Sequence, residues 1–356
     1  MWDFLSLSPE STHHTLMLYT DRGTPRGYRF MDGYSLHAFK WVNEDGHAVW
    51  MKWHLKPESG VQNFTSSEAA IMNARDPDYA VRDLVTEVAK GGKDVAWNVY
   101  AQIMSMEDAF DEKKLGFNAF DATKCWPHDK YPLLEFGKLV LNRNVKNYHA
   151  EVEQSAFSPA NLVPGIEPSP DKLLQGRFFA YADAQRYRLG SNFNRLSVNC
   201  PFMTRAINYQ RDGVAWDDNG GRHVNYWPNS FERDPSTSGI IHGDKLKEPE
   251  ENIKSFVEEV PVSQTLCSRF KTDPINPMDD YIQAGEFYHK ILSDAEKVVL
   301  AQNLAQSLRP VTRLEIRIRA VRNFFLADAD LGSRVAKYLD IDLSVLGTHP
   351  LSNVEK

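Results

Sequence analysis

The stretch from Phe110 to Thr272 constrains this chain more than any other feature. It occupies nearly half of the 356 residues, is rich in Pro, Asn, Arg and aromatic side chains, and shows little helical or strand periodicity. Compact domains seldom contain so long an aperiodic segment. Those that do use it for function or wrap it around a partner subunit. Any regular architecture must therefore be built mainly from the sequence on either side.

In front of it, from Thr15 to about Ala101, strand-like runs alternate with turn signals. TLMLYT (15–20) reads as a strand. HAFKWV, the turn NEDG and HAVWMKWHL read as a hairpin, because aromatic and branched residues flank an Asp-Gly turn. NVYAQIMS (98–105) is a further strand. SSEAAIMNARDPDYAVRDLVTEVAKG predicts two short helices, with Ser66 and Asp76 as N-caps and Gly91 as a stop. Behind the aperiodic stretch the pattern is helical. Tyr281, Ala284, Phe287, Tyr288, Ile291 and Leu292 form one apolar stripe. Ser293 to Glu296 is a capping box opening a helix whose stripe includes Val299, Leu300, Leu304 and Leu308. These textures divide the chain at 1–109, 110–272 and 273–356, and no internal repeat is evident.

Composition removes several function classes. Forty-one basic against 48 acidic residues leave a net charge of −7, with a pI near 5.9. That balance supports neither a nucleic-acid surface nor an anionic-membrane surface. Mean hydropathy is −0.48, and no apolar run approaches the ~18 residues of a membrane span. The opening MWDFLSLSPE has neither the basic nor the long apolar part of a signal peptide. Cys125, Cys200 and Cys267 stand far apart, which fits a reducing cytoplasm rather than a disulfide or zinc framework. The ending LSNVEK is neither a peroxisomal nor an endoplasmic-reticulum address. His13 and His14 lack a spaced third metal ligand, and His149 and His223 read as structural or surface residues.

One helix stands out inside the aperiodic stretch, PSPDKLLQGRFFAYADAQRYRLG. Ser169 and Pro170 open it, Asp171 sits in its first turn and Gly190 ends it. Arg177 and Tyr181 are four apart and share a face; Arg188 lies seven further on. A phenol between guanidiniums ionises more readily than an isolated one, and a phenolate is an anionic oxygen ligand for ferric iron. Spacing alone equally describes a surface helix with ordinary arginines and a half-buried tyrosine.

The surrounding residues speak to that choice. NLVPGIEPSPDKLLQGRFFAYADAQRYRLG resembles the proximal-haem signature of the haem catalases, in which R-x-x-x-Y carries the iron ligand. WDFLSLSPES, DRGTPRGYRFMDGYSLHAFKWVN, DPDYAVRDL, NAFDATKCWPHDKYPLLEFGKLVLNRNVKNYHAEVEQSAFSP, SVNCPFMTRAINYQRDG and NYWPNSF look like catalase blocks in the family's order. The resemblance implies an α+β fold: an antiparallel catalase-type β-barrel, incomplete here, a long wrapping arm with the proximal helix at about 169–190, and a C-terminal helical domain. It implies decomposition of hydrogen peroxide to water and oxygen with haem b, in homotetramers. Carried over by residue, Tyr181 corresponds to the axial iron ligand. Arg177 corresponds to the arginine that keeps its oxygen ionised. Asp171 and His37 correspond to a relay behind Arg177, and Arg188 to a haem-propionate contact. His13, Thr20, Arg22, Tyr34, Lys56, Trp126 and His128 align with the NADPH groove of some catalases. Asp32 and Met17 stand where NADPH-binding members have other residues, and a carboxylate beside phosphates argues against the nucleotide.

Against the family pattern the chain opens at a block well inside a typical catalase. The family's distal histidine, in an R-x-x-x-H-A-x-G context, and its distal asparagine have no counterpart in these residues. A partial barrel is expected to expose strand edges. Two functions stay open: peroxide decomposition, and a non-catalytic haem-binding or subunit-interaction protein of catalase ancestry.

Overall fold

The computed structural model describes residues 1–91, 95–199 and 278–347. His223, Cys200 and Cys267 lie outside the described residues. The chain divides into two units: Met1–Leu36, Lys52–Asn144 and Arg269–Lys356 form the first, and His37–Met51 with Val145–Ser268 the second.

In the first unit, helices from both ends of the sequence share one core. Helices α1 (Trp2–Leu7) and α2 (Thr12–Tyr19) contribute Trp2 and Leu16. To the same core Leu300, Leu304, Leu308, Val321, Phe324, Leu331 and Val335 come from the C-terminal helices introduced below. Burying each large side chain contributes about 1.5–3 kcal/mol. Trp2 Nε1 donates to Ser307 Oγ at 3.0 Å, and the Tyr19 hydroxyl meets the same oxygen at 2.8 Å. TLMLYT is thus helical, not a strand. Thr12, Thr15 and Leu16 are buried at i, i+3, i+4 spacing, while Leu18 faces water. Burial against helices nearly 300 residues away overrides the local strand propensity.

The strands are β1 (Gly33–Tyr34), β2 (Phe39–Val42), β3 (Ala48–Pro57), β4 (Ala96–Ser105), β5 (Leu133–Val140) and β6 (Ile166–Pro168). They form an open antiparallel sheet that does not close into a barrel among the described residues. In the first unit β1 pairs with the end of β3, and β4 pairs with β5 around a bulge at Val99/Tyr100. In the second, β2 pairs with the start of β3 and with β6, Phe39 opposite Pro168 and Lys40 opposite Glu167. The expected hairpin is local chemistry. Asn43 Oδ1 accepts from the Asp45 and His47 amides, and Gly46 takes φ 82°. Strand β5 was hidden inside the aperiodic stretch. Nearly all of its side chains are exposed on both faces, so it carries no inward–outward alternation.

Between β3 and β4 lie α3 (Ser66–Arg75) and α4 (Tyr79–Ala89). The caps differ from expectation by one or two positions. Thr65, not Ser66, forms a capping box with Glu68, and Asp76 closes α3 while Asp78 precedes α4. Short helices α5 (Met106–Phe110) and α6 (Glu112–Leu115) follow β4. In the second unit α7 spans Lys172–Arg188. The first unit ends with α8 (Asp279–Glu286), α9 (Asp294–Leu308), α10 (Leu314–Ala327) and α11 (Ala329–Tyr338). The Ser293–Glu296 capping box opens α9 as expected. The stripe after α8 breaks at its end, because residues 287–291 form a π turn. The extra residue in that turn rotates Ile291 outward, 58% exposed, while Leu292 stays in the core.

Candidate functional site

His37 sits just before β2, and Asp171 sits just after β6. Continuing the antiparallel β2–β6 register by two residues sets His37 opposite Pro170, beside Asp171. The side chains meet: His37 Nδ1 and Asp171 Oδ2 are 2.5 Å apart, and both residues are buried. Asp171 is the N-cap of α7 rather than a first-turn residue. Its Oδ1 accepts from the amides of Leu173 (2.8 Å) and Leu174 (3.3 Å). One carboxylate therefore caps the helix with one oxygen and grips the imidazole with the other. Lys40, also buried, pairs with Glu167 at 2.5 Å across the same two strands.

Two turns into α7, an Arg177 terminal guanidinium nitrogen (Nη2) donates to the Tyr181 hydroxyl at 2.7 Å. The guanidinium carbon lies 4.9 Å from the Tyr181 ring centroid. A guanidinium has no acceptor, so the phenol oxygen accepts from it and cannot return its own proton to the same group. That arrangement stabilises negative charge on the oxygen. The site thus consists of two hydrogen-bonded pairs, His37–Asp171 and Arg177–Tyr181. Asp171 spends its oxygens on His37 and the helix amides, and Arg177 reaches Tyr181 instead.

Arg188 closes the helix. Its Nε donates to Gln185 Oε1 at 2.8 Å, and its two terminal nitrogens donate to the carbonyls of Glu153 (2.6 Å) and Ser155 (2.5 Å). All three nitrogens are engaged by the chain's own acceptors, at the helix end where a cation is favoured. Asn199 braces the same turn, donating to the Gln154 carbonyl and accepting from the Ala156 amide. His149 is exposed and pairs with Glu153 at 2.9 Å.

The groove residues belong to the first unit. Lys56 meets Asp32 at 2.6 Å and the Tyr34 hydroxyl at 2.8 Å, and Tyr34 donates to Asp32 at 2.5 Å. Burial and the Asp32 carboxylate push the Tyr34 phenol upward. Of the two groove cations, Lys56 is therefore already neutralised by Asp32, while Arg22 lies over the Phe287 ring. His54, which sequence reasoning passed over, is lowered to about 4 by burial and bonds to Gln102 Oε1 at 3.1 Å. His13 also falls to about 4, through burial and then the nearby Lys124. Trp126 is buried, its indole donating to the Ala119 carbonyl. No group of three or more His, Cys, Asp or Glu side chains converges for a metal ion among the described residues. No described helix is long and apolar enough to cross a membrane.

An iron porphyrin suits the donor set at Tyr181. Tyr181, with its phenol oxygen held by the Arg177 donor, would be the residue to hold such an iron, which would supply redox chemistry there.

Comparison with known proteins is consistent over most of the sequence. A family model described as catalase matches residues 1–233, and one described as catalase-related immune-responsive matches residues 274–339. Catalase-A of Dictyostelium discoideum is 46% identical over 96% of this chain and 65% of its own length. The catalase of Methanosarcina barkeri is 45% identical over 96% and 63%, and that of Sus scrofa 43% over 96% and 60%. The chain thus spans less than two thirds of the length of these relatives. Among solved structures, a bacterial catalase superposes with TM-score 0.77 at 35% identity, covering 95% of this chain and 65% of that one. Catalase A from Saccharomyces cerevisiae gives 0.76 at 34%, covering 95% and 66%.

Proposed function

The chain belongs to the catalase family, and on that premise we propose that it serves the decomposition of hydrogen peroxide to water and oxygen at a haem b held by Tyr181. The observation that carries the reading is the 2.7 Å bond from Arg177 to the Tyr181 oxygen. Bound there, haem supplies the redox-active iron that peroxide chemistry needs.

The chain's own residues do the rest of the proximal work. Arg177 donates to the phenol oxygen and fixes its orientation. Asp171 fixes the start of α7 and, through His37, ties it to β2. Arg188 fixes the other end of the helix, so Tyr181 rides on a segment anchored at both ends. A haem propionate reaching Arg188 would compete with the Glu153 and Ser155 carbonyls for its fork. Proton transfer on the peroxide side is worth roughly 10²–10⁴-fold in rate. The R-x-x-x-H-A-x-G context that carries it in the family is not in these residues, so their contribution is the proximal half-site. Homotetrameric assembly in the cytoplasm completes the proposal. The three scattered thiols support that compartment.

Titration with ferric haem, read by absorbance and electron paramagnetic resonance, tests the ligand. The chain is expected to give a ferric-tyrosinate signature that Tyr181→Phe abolishes; an unchanged spectrum in the variant overturns the assignment. Oxygen evolution per bound haem separates peroxide decomposition from a non-catalytic haem-binding role.

A further inference from the structure

A cleft of about 570 Å³ opens in the first unit, lined by Arg26, Arg29, Phe30, Glu58, Ser59, Gln62, Tyr79 and Asp83. Its size falls within the range of small-molecule sites, roughly 300–1,000 Å³. Its walls are tied together. The Arg26 amide donates to the Gln62 carbonyl at 2.9 Å; beside it the Phe64 amide donates to the Thr24 carbonyl at 2.8 Å and the Thr24 hydroxyl to the Phe64 carbonyl at 2.6 Å. Arg29 grips Asp83 of α4 with two bonds, 2.8 and 3.2 Å, and stacks on Phe30. The cleft is therefore preformed rather than a gap between loose loops.

Its charges are unevenly spent. Asp83 is neutralised by Arg29, and Glu58 is paired with Lys138. Glu68, the other carboxylate near Arg26, is occupied in the capping box of α3. Arg26 has no carboxylate within ion-pair distance among the described residues, and its guanidinium lies 6.0 Å from the Phe64 ring. Tyr79, the first residue of α4, packs its ring against Phe64 at 5.8 Å. One unneutralised cation, Arg26, thus lines the same cleft as Gln62 and the half-buried Tyr79.

We propose that this cleft binds a small monocarboxylate with an apolar body. Arg26 takes the carboxylate, Gln62 completes its hydrogen bonds, and the apolar body lies against the Tyr79 ring. A single free cation suits a single negative charge. A dianionic phosphate ester would leave its second charge without a cation, since Arg29 is already held by Asp83 and Lys138 by Glu58. The site is independent of Tyr181 and of any haem.

The test uses 3-phenylpropionate as probe and 3-phenylpropanol as its neutral counterpart, with binding followed by ligand-detected NMR on the full chain. The acid is expected to saturate and the alcohol to bind at least about tenfold more weakly. Arg26→Gln, an exposed position, should weaken the acid by about tenfold while leaving the circular dichroism and melting temperature unchanged. Glu58→Gln, which removes a rim carboxylate, should tighten it severalfold. Equal binding of acid and alcohol, absence of saturation, or an acid affinity indifferent to Arg26→Gln would overturn the proposal.

Discussion

Replacing Asp171 separates two interactions that one carboxylate now carries. In Asp171→Ala the α7 cap is lost, a change typically worth 0.5–2 kcal/mol, about 1 in most hosts. The bond to buried His37 is lost too, leaving an imidazole nitrogen unsatisfied at a cost of about 1–3 kcal/mol. Together the alanine variant should lose about 2–4 kcal/mol. Asparagine ranks with aspartate as an N-cap, so Asp171→Asn keeps the bonds to the Leu173 and Leu174 amides. It exchanges a charge-assisted bond to His37 for a neutral one, a loss of roughly 1 kcal/mol. Amide hydrogen exchange of peptides spanning residues 172–188 reads this directly, because protection there reports the opening free energy of α7. The expected order is wild type, then asparagine, then alanine. In a His37→Phe background the asparagine penalty should largely vanish, since its partner is gone. Equal protection of the asparagine and alanine variants would refute the two-interaction account. So would an asparagine penalty unchanged by His37→Phe.

Four further outcomes follow. His13 and His54 fall from 6.5 to about 4 on folding, so the unfolded chain binds more protons between those values. Stability is complete above pH 6.5 and declines as pH drops toward 4, by about 1–2 kcal/mol per histidine after solvent screening. Urea midpoints from pH 7.5 to 4.5 should show that decline, and His54→Gln should flatten part of it; a pH-independent midpoint would contradict both assignments. Leu304→Ala empties a fully buried site where terminal helices meet and should cost about 2–5 kcal/mol in denaturant unfolding. Gly332→Ala should also destabilise, because its Cβ would come 2.4 Å from the Phe325 backbone; a melting temperature at or above wild type would show that α10 and α11 separate freely. Arg188→Gln should raise exchange in residues 149–156 as well as at the end of α7, since it releases the Glu153 and Ser155 carbonyls.

Some of this was legible residue by residue. The Arg177–Tyr181 contact follows from a four-residue spacing on one helix, and the Ser293–Glu296 box from a three-residue one. The Asn43–Gly46 turn is likewise written into its own side chains. In each case the interacting atoms are joined by a few peptide units, so local geometry decides the outcome. Family-level resemblance then assigned the α+β class, because long blocks of specific residues carry a fold that periodicity alone does not.

Other features depend on residues far apart in the chain. His37 and Asp171 are 134 residues apart, and only the β2–β6 register brings them within 2.5 Å. TLMLYT has strand propensity but becomes a helix because its buried face is chosen by helices at the other end of the chain. Strand β5 shows no alternation because side chains on both of its faces are exposed. Arg188 takes backbone carbonyls, acceptors that every residue possesses and no sequence motif marks. The sequence by itself determined the Ser293–Glu296 cap, the Asn43–Gly46 turn and the i,i+4 pair, whose partners are covalent neighbours. Tertiary structure alone decided register, burial and the choice among equivalent backbone acceptors, because those energies exist only once distant segments have met.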